Sequence, residues 1–221
     1  MNLLGKNIKL AIFDLDGTLI NSTSLWADID YEFFKKRDLE IPPSYNEEIA
    51  HAGLQKAAEI TKQKYLPNEN IEDIKKEWLD MSYHAYAETI TLKDNAKEVL
   101  DLLHKNNVFI ALATANSKEI YEVCLSRLGI LDYLSLVMDV NSCKSGKESS
   151  EIYDLIVEKF NIKKEETVVF EDMIVPIITA YNAGYNVVGV YDKSSTKDEK
   201  AVIEHSHLFI KNYSEIIELL K

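Results

Sequence analysis

Residues 10–19, with the sequence LAIFDLDGTL, constrain the fold of this chain more than any other stretch. Four apolar residues are followed at once by Asp14 and Asp16, and then by Gly17. A short apolar run closed by a turn residue is typical of a strand buried on both faces of a parallel sheet. Ligands bind at the carboxyl ends of strands in open α/β sheets, so both aspartates are predicted to lie at a ligand site. One carboxylate can attack an electrophile while the other transfers protons, and Gly17 allows a tight turn and close approach of a ligand.

The composition limits the class of protein. A chain of 221 residues with 46% hydrophobic and 28% charged residues can form one core, with room for a small accessory domain. The net charge of −12 argues against nucleic acid or anionic membranes as main partners. Cys124 and Cys143 match no metal-site spacing, and no signal-peptide pattern is evident. We therefore expect a cytoplasmic protein, a monomer or weak dimer, that binds a small molecule and neither nucleic acid nor membranes.

The segment 21–88 shows helical spacing and no convincing strand. Three apolar patterns fall at Leu25, Ile29 and Phe33; at Leu54, Ala57, Ala58 and Thr61; and at Ile71, Ile74, Trp78, Met81 and Ala85. Proline-containing turns at 42–43 and 66–68 separate them. The pattern predicts a helical domain over 21–88, inserted into a core domain formed by 1–20 and 89–221.

From residue 92 onward, helical patterns alternate with short apolar runs. Strands are predicted at 108–113, 134–138, 167–170 and 186–190, with an edge strand at 207–210. Asn116, with Glu119 three residues later, resembles a helix capping box. The alternation predicts an α/β fold, a Rossmann-like doubly wound parallel sheet with the helical domain inserted after its first strand.

Four polar clusters follow successive predicted elements. They are Asp14 with Asp16, Thr114, Lys147, and Glu171 with Asp172. In a parallel sheet these clusters can meet at one edge, where they would suit transfer of a phosphoryl group. A carboxylate would attack phosphorus, a second acid would serve the leaving oxygen, and a hydroxyl, backbone N–H groups and a lysine would hold the other oxygens. Like charges 4 Å apart repel by about 4 kcal/mol at an effective dielectric near 20, so a hard divalent cation, Mg²⁺, is expected among the carboxylates.

These motifs resemble those of the haloacid dehalogenase superfamily. The resemblance covers nearly the whole chain and is strongest to the subgroup with a helical cap, which includes β-phosphoglucomutase and phosphoglycolate phosphatase. It implies that Asp14, in DLDGTL, is the nucleophile and Asp16 the general acid/base. The motif ALATAN implies that Thr114 and the Ala115 N–H bind phosphate, and GKESSEIY supplies Lys147.

The fourth motif, VVFED, implies that Glu171 and Asp172 serve the metal together with Asp14 and Asp16, the last through its backbone carbonyl. Asn116 is either a helix cap only or also a contact to a substrate hydroxyl, and Gly17 is expected to be a substrate-binding residue. His51 and Gly53 lie where this subgroup often carries a substrate loop, although a surface helix end explains His51 equally well.

The chain departs from the subgroup pattern in two motifs. Glu148 and Ser150 replace the prolines that usually follow the motif lysine, which leaves Lys144 as a rival to Lys147. Met173 and Pro176 stand where a serine and a glycine are usual. Proline is tolerated in a first helical turn, where Pro176 is predicted, and loss of the serine is expected to weaken support of the metal.

The sequence therefore predicts a Mg²⁺-dependent phosphatase that hydrolyses a small phosphomonoester, such as a sugar phosphate, through an aspartyl-phosphate on Asp14. A phosphosugar mutase is the main alternative, although Trp26 stands where the known mutase carries a histidine. A non-catalytic phospho-acceptor or binding module is the alternative from another class. The cap is expected to open and close at hinges near 20–24 and 89–93.

Overall fold

The computed structural model of the protein describes residues 1–49 and 54–220. The chain divides into two compact units, one made of Met1–Thr23 with Ile90–Lys221 and the other of Ser24–Thr89. His51 and Gly53 lie outside the described residues. No helix in the described part of the chain combines the length and apolar character needed to cross a bilayer.

The larger unit is built on a six-stranded sheet. Two short strands, β1 (Asn2–Leu3) and β2 (Lys6–Asn7), form a separate ribbon before it. The six strands of the sheet are β3 (Leu10–Phe13), β4 (Phe109–Thr114), β5 (Leu136–Asp139), β6 (Thr167–Glu171), β7 (Asn186–Val190) and β8 (Leu208–Ile210). The sheet has the order β5-β4-β3-β6-β7-β8, and every neighbouring pair is parallel. The predicted doubly wound parallel sheet is thus confirmed, with each strand within two residues of its predicted bounds.

The smaller unit contains α1 (Leu25–Lys35), α2 (Tyr45–Ile49), α3 (Leu54–Lys64) and α4 (Ile71–Glu88). Its core is aromatic: the ring of Phe33 lies 5.4 Å from Trp78 and the ring of Phe34 lies 4.8 Å from Tyr45, centroid to centroid. Helix α2 was not predicted, because five residues after a double proline carry too little periodicity. It is stabilised by Tyr45, which is fully buried and whose hydroxyl lies 2.9 Å from Thr61 Oγ1.

The helices of the larger unit cover both faces of the sheet. They are α5 (Ala96–Lys105), α6 (Lys118–Arg127), α7 (Glu151–Phe160), α8 (Ile174–Asn182), α9 (Glu199–Glu204) and α10 (Ser214–Leu219). All four residues of β3 are fully buried, as expected for a central strand covered on both faces. The ring of Phe13 stacks on Phe170 of β6 with centroids 4.3 Å apart.

Two local predictions about helix ends have different outcomes. Pro176 is the third residue of α8 and therefore lies in its first turn, as predicted, where its missing N–H interrupts no helical hydrogen bond. The predicted capping box at Asn116 is wrong, because α6 begins at Lys118 and its N-cap is Ser117. The Asn116 side chain instead donates a hydrogen bond to Asp16, an interaction between distant residues that local spacing cannot reveal.

Asp30 gives the helical unit a pH-dependent stability. This α1 residue is only 6% exposed, and burial raises the pKa of its carboxyl from 3.8 to about 6. The folded state therefore prefers the protonated acid, so the destabilisation is absent below pH 4, grows between pH 4 and 6, and is complete above pH 6. We expect Asp30→Asn to stabilise the protein by up to about 3 kcal/mol at pH 7.5 and by almost nothing at pH 4. Urea unfolding of both proteins across this range would check it, and an equal difference at both ends would contradict it.

Candidate active site

The site lies where the sheet reverses its strand order. From β3 the chain passes first to β4 on one side, and later to β6 on the other. Such a switch point opens a crevice at the carboxyl ends of the strands. Phe13 is paired with Phe170, and the backbone N–H of Asp14 donates to the Phe170 carbonyl at 3.0 Å. Asp14, which follows β3, and Glu171, the last residue of β6, therefore lie side by side at the end of the sheet.

Lys147 joins these two carboxylates. Its ammonium group donates to Asp14 Oδ1 and also to Glu171 Oε1, the latter at 2.7 Å. The lysine side chain is 12% exposed and that of Glu171 only 2%. Lys144, the rival in the sequence, has an exposed side chain, and its backbone N–H donates to Glu151 at 2.9 Å. The structure thus brings Lys147, and not Lys144, to the carboxylates.

Three carboxylates form a buried acidic cluster. One oxygen from each of Asp14, Glu171 and Asp172 lies within 4.8 Å of the others. Burial raises the pKa of Glu171, and the charge of Asp14 raises it further against the opposing effect of Lys147. Burial, Asp14 and Glu171 together raise the pKa of Asp172. Burial alone would lower the pKa of Lys147, but the charges of Asp14 and Glu171 raise it well above its usual value.

The cluster fits a hard divalent cation. Lys147 supplies one positive charge against three carboxylates, so the site keeps excess negative charge when all three are ionised. Carboxylate oxygens are the ligands that Mg²⁺ prefers, and its charge would relieve the repulsion that raises the acidic pKa values. The carboxylate of Asp16 is not one of the three clustered groups.

Asp16 is instead held beside the cluster by two donors. Its carboxylate accepts hydrogen bonds from Ser22 Oγ at 2.6 Å and from Asn116 Nδ2. The backbone N–H of Asn116 in turn donates to Thr114 Oγ1 at 3.1 Å. Thr114 is fully buried at the end of β4, and Ala115 next to it is exposed. These contacts connect the loop after β3 to the loop after β4.

Two hydroxyl groups support Asp172, and neither was predicted to do so. Thr18 Oγ1 donates to Asp172 Oδ1 at 3.1 Å, and Ser195 Oγ donates to Asp172 Oδ2 at 3.3 Å. The serine expected after Asp172 is Met173, which is 59% exposed. Support for this carboxylate therefore comes from distant loops. Ser195 lies in a polar run after β7, but nothing in the sequence of that run indicates that it contacts Asp172.

Gly17 is required by its backbone angle and by its closeness to Asp172. Its φ is +79°, and a Cβ at this position would lie 2.4 Å from Asp172 Oδ2 and 2.9 Å from a methyl group of Thr23. Any side chain here must displace the Asp172 carboxylate.

We therefore expect Gly17→Ala to destabilise the protein by about 1–3 kcal/mol and to weaken Mg²⁺ binding. Thermal unfolding with and without Mg²⁺ would measure both effects. Gly5 offers a matched control, since its φ is +70° and no atom lies within 4 Å of its added Cβ. Gly5→Ala should share the backbone strain but keep the Mg²⁺ affinity. Equal Mg²⁺ affinity in the two variants would contradict this account.

The fold and the residues at the carboxyl ends of its strands together define a parallel α/β protein. Its acidic site lies where the strand order reverses, and Lys147 bridges two of the carboxylates. The model of the haloacid dehalogenase-like hydrolase family matches residues 11–190. The chain belongs to this family, so the predicted membership and the prediction of an enzyme are confirmed.

Known relatives extend over nearly the whole chain. The phosphorylated carbohydrates phosphatase of Thermotoga maritima is 25% identical, covering 97% of this chain and 99% of the relative. A phosphoglycolate phosphatase of Photorhabdus laumondii is 26% identical, covering 97% and 93%. Among solved structures, a Thermotoga maritima protein with a provisional assignment as β-phosphoglucomutase superposes with a TM-score of 0.85. It is 23% identical and covers 96% of this chain and 98% of the other. This likeness shows the shared fold.

Proposed function

We propose that the protein is a Mg²⁺-dependent phosphatase that hydrolyses a small phosphorylated metabolite through an aspartyl-phosphate. The observation that carries this proposal is the buried triad of Asp14, Glu171 and Asp172, with Lys147 bonded to two of its members. The site offers a carboxylate nucleophile, hard oxygen ligands and a cation for phosphate oxygens at one point. The names of the relatives, phosphatases for phosphorylated carbohydrates and phosphoglycolate, agree with it.

In the first half of the reaction, Asp14 attacks the phosphorus atom. A bond forms between a carboxylate oxygen of Asp14 and phosphorus while the bond from phosphorus to the alcohol oxygen breaks. Asp16 gives its proton to the departing oxygen, and the alcohol leaves. Bound Mg²⁺, held by Asp14, Glu171, Asp172 and the Asp16 carbonyl, would neutralise charge on the phosphoryl oxygens.

In the second half, Asp16 accepts a proton from a water molecule. That water attacks phosphorus, the bond between phosphorus and the Asp14 oxygen breaks, inorganic phosphate leaves, and the Asp14 carboxylate is regenerated. The contacts from Ser22 and Asn116 support this role, because they fix the orientation of the Asp16 carboxylate. Asp16 must start the cycle protonated and finish it protonated, so the proton balance closes.

The phosphoryl oxygens need hydrogen-bond donors or cations that do not themselves react. We assign this role to Lys147, the Thr114 hydroxyl and the Ala115 N–H, with Gly17 and Asn116 lining the substrate side. The N–H groups at the start of α6 add to the positive end of the helix dipole. The buried position of Thr114 supports the assignment, because a fixed hydroxyl needs no reorganisation during the reaction.

We further propose that the helical insert, 21–88, acts as a cap over the core formed by 1–20 and 89–221, with hinges at 20–24 and 89–93. The two connecting segments lie side by side. The backbone N–H of Asn21 donates to the Thr91 carbonyl, and that of Lys93 to the Leu19 carbonyl, both at 2.9 Å. Neighbouring connections can turn together, which supports a hinge at this position.

We also propose that the protein is cytoplasmic. Cys124 and Cys143 are both free thiols, which is typical of proteins in a reducing compartment.

A panel of phosphorylated metabolites tests the function. We expect release of inorganic phosphate from at least one sugar phosphate or from phosphoglycolate in the presence of Mg²⁺, and none after chelation by EDTA. Absence of phosphate release from the whole panel would contradict the proposal. It would favour the alternative of a phospho-acceptor or binding module.

The provisional assignment of the structural neighbour makes a phosphosugar mutase the second candidate. Incubation with β-glucose 1-phosphate and a glucose bisphosphate primer separates the two activities. A phosphatase releases inorganic phosphate, whereas a mutase accumulates glucose 6-phosphate. Trp26, half-exposed on α1 where the mutase has a histidine, favours hydrolysis.

A further inference from the structure

Tyr153 presents an unusual buried hydroxyl. The residue lies in the first turn of α7, is fully buried, and packs its ring edge-on against Tyr185 with centroids 5.8 Å apart. In the described part of the larger unit, its hydroxyl is the one buried side-chain polar atom without a partner in full hydrogen-bond geometry. A buried hydroxyl without a well-aligned partner recovers little of the hydration it has lost, so phenylalanine would be no less stable at this position.

The surroundings of this hydroxyl are the acidic cluster itself. After burial, the charge of Glu171 is the largest influence that raises the pKa of Tyr153. Lys147 opposes it, whereas Asp14 and a hydrogen-bond contact of the hydroxyl with the Glu171 side chain raise the pKa further. A tyrosine hydroxyl is neutral near pH 7 and can donate or accept a hydrogen bond. Next to anionic carboxylates, the favourable arrangement is for the O–H to donate.

Glu171 has a place for this donor. Its Oε1 accepts from Lys147 at 2.7 Å, and its Oε2 accepts from the backbone N–H groups of Asp172 at 3.1 Å and Met173 at 3.5 Å. Under the proposed function, Lys147 must turn part of its hydrogen-bonding capacity to the phosphate oxygens. Glu171 then needs another donor to stay in place.

We propose that Tyr153 is a positioning residue whose hydroxyl donates to the Glu171 carboxylate and orients it for the divalent cation. This inference rests on the proposed function, because it takes Glu171 as a metal ligand. It explains why a hydroxyl without a well-aligned partner is present at this buried position.

The test compares Tyr153→Phe with Tyr185→Phe. Both variants remove one hydroxyl from neighbouring buried rings, but the Tyr185 hydroxyl donates to Asp154 at 2.7 Å, away from the cluster. Mg²⁺ affinity is measured by isothermal titration calorimetry on the metal-free protein, and stability by thermal unfolding without metal. Turnover of p-nitrophenyl phosphate gives kcat and the Mg²⁺ concentration for half-maximal activity.

We expect Tyr153→Phe to bind Mg²⁺ about 10-fold more weakly while its metal-free stability stays equal to or above that of the unchanged protein. Tyr185→Phe should show the reverse pattern, with lower stability and unchanged Mg²⁺ affinity. Mg²⁺ affinity of Tyr153→Phe within twofold of the unchanged protein would overturn the inference. If the unchanged protein hydrolyses no phosphomonoester but the difference in Mg²⁺ affinity is present, the proposed function fails and the role of Tyr153 stands.

Discussion

Asp14→Asn is expected to reduce phosphomonoester hydrolysis by more than about 10⁴-fold, because an amide oxygen does not form the acyl-phosphate on which the proposed mechanism depends. The side chain keeps its shape, so the fold should persist. Stability without metal should not fall, since Asp14 is one of three carboxylates that repel one another and Lys147 keeps its partner Glu171. Phosphate release and thermal unfolding measure the two effects.

Asp139→Asn is the matched control for this variant. Asp139 ends β5 at the same edge of the sheet, two strands from β3, and its side chain accepts from the Asn141 backbone N–H at 2.9 Å. It should leave kcat nearly unchanged. Trapping of the phosphorylated enzyme by acid quench and mass spectrometry adds a direct readout. Substantial turnover by Asp14→Asn, or a phosphorylated residue other than Asp14, would refute the assignment of the nucleophile.

The elements around β3 could be predicted because their signals are local. An apolar run followed by Asp14 predicts both the strand β3 and its end. The apolar run that leads to Glu171 predicts β6 in the same way. The parallel arrangement then brings the strand ends to one edge without further information. Family membership followed from the same residues, since the motifs contain the strand ends.

The hydrogen bonds within the site could not be predicted, because they join residues that are far apart in sequence. Thr18 and Asp172 are separated by 154 positions, and Asn116 and Asp16 by 100. Single threonine, serine or tyrosine residues carry no periodicity, so their partners depend on the packing of whole elements. The same limit explains the wrong cap at Asn116: its local spacing suited a helix start, whereas a distant carboxylate binds its side chain.

Removal of the Lys147 ammonium is expected to produce the second large effect. In Lys147→Met the length of the side chain is nearly conserved, but Asp14 and Glu171 lose the ammonium group that both of them bind. Leaving buried carboxylates without their partner should destabilise the metal-free protein by about 3–5 kcal/mol. In the proposed mechanism Lys147 holds the phosphoryl oxygens, so loss of this fixed positive group should lower kcat on the order of 10²–10³-fold.

Lys144→Met separates this explanation from a general effect of charge. Both variants remove one lysine from the same loop and change the net charge equally, but the Lys144 side chain is exposed whereas that of Lys147 is bonded to the cluster. Urea unfolding without metal and turnover with saturating Mg²⁺ should show losses in Lys147→Met only. Added Mg²⁺ should restore more stability to Lys147→Met than it gives the unchanged protein, because a divalent cation then supplies all of the charge that the three carboxylates lack. If Lys144→Met lost more activity than Lys147→Met, the phosphate contact would belong to Lys144 and the bond between Lys147 and Asp14 would be structural.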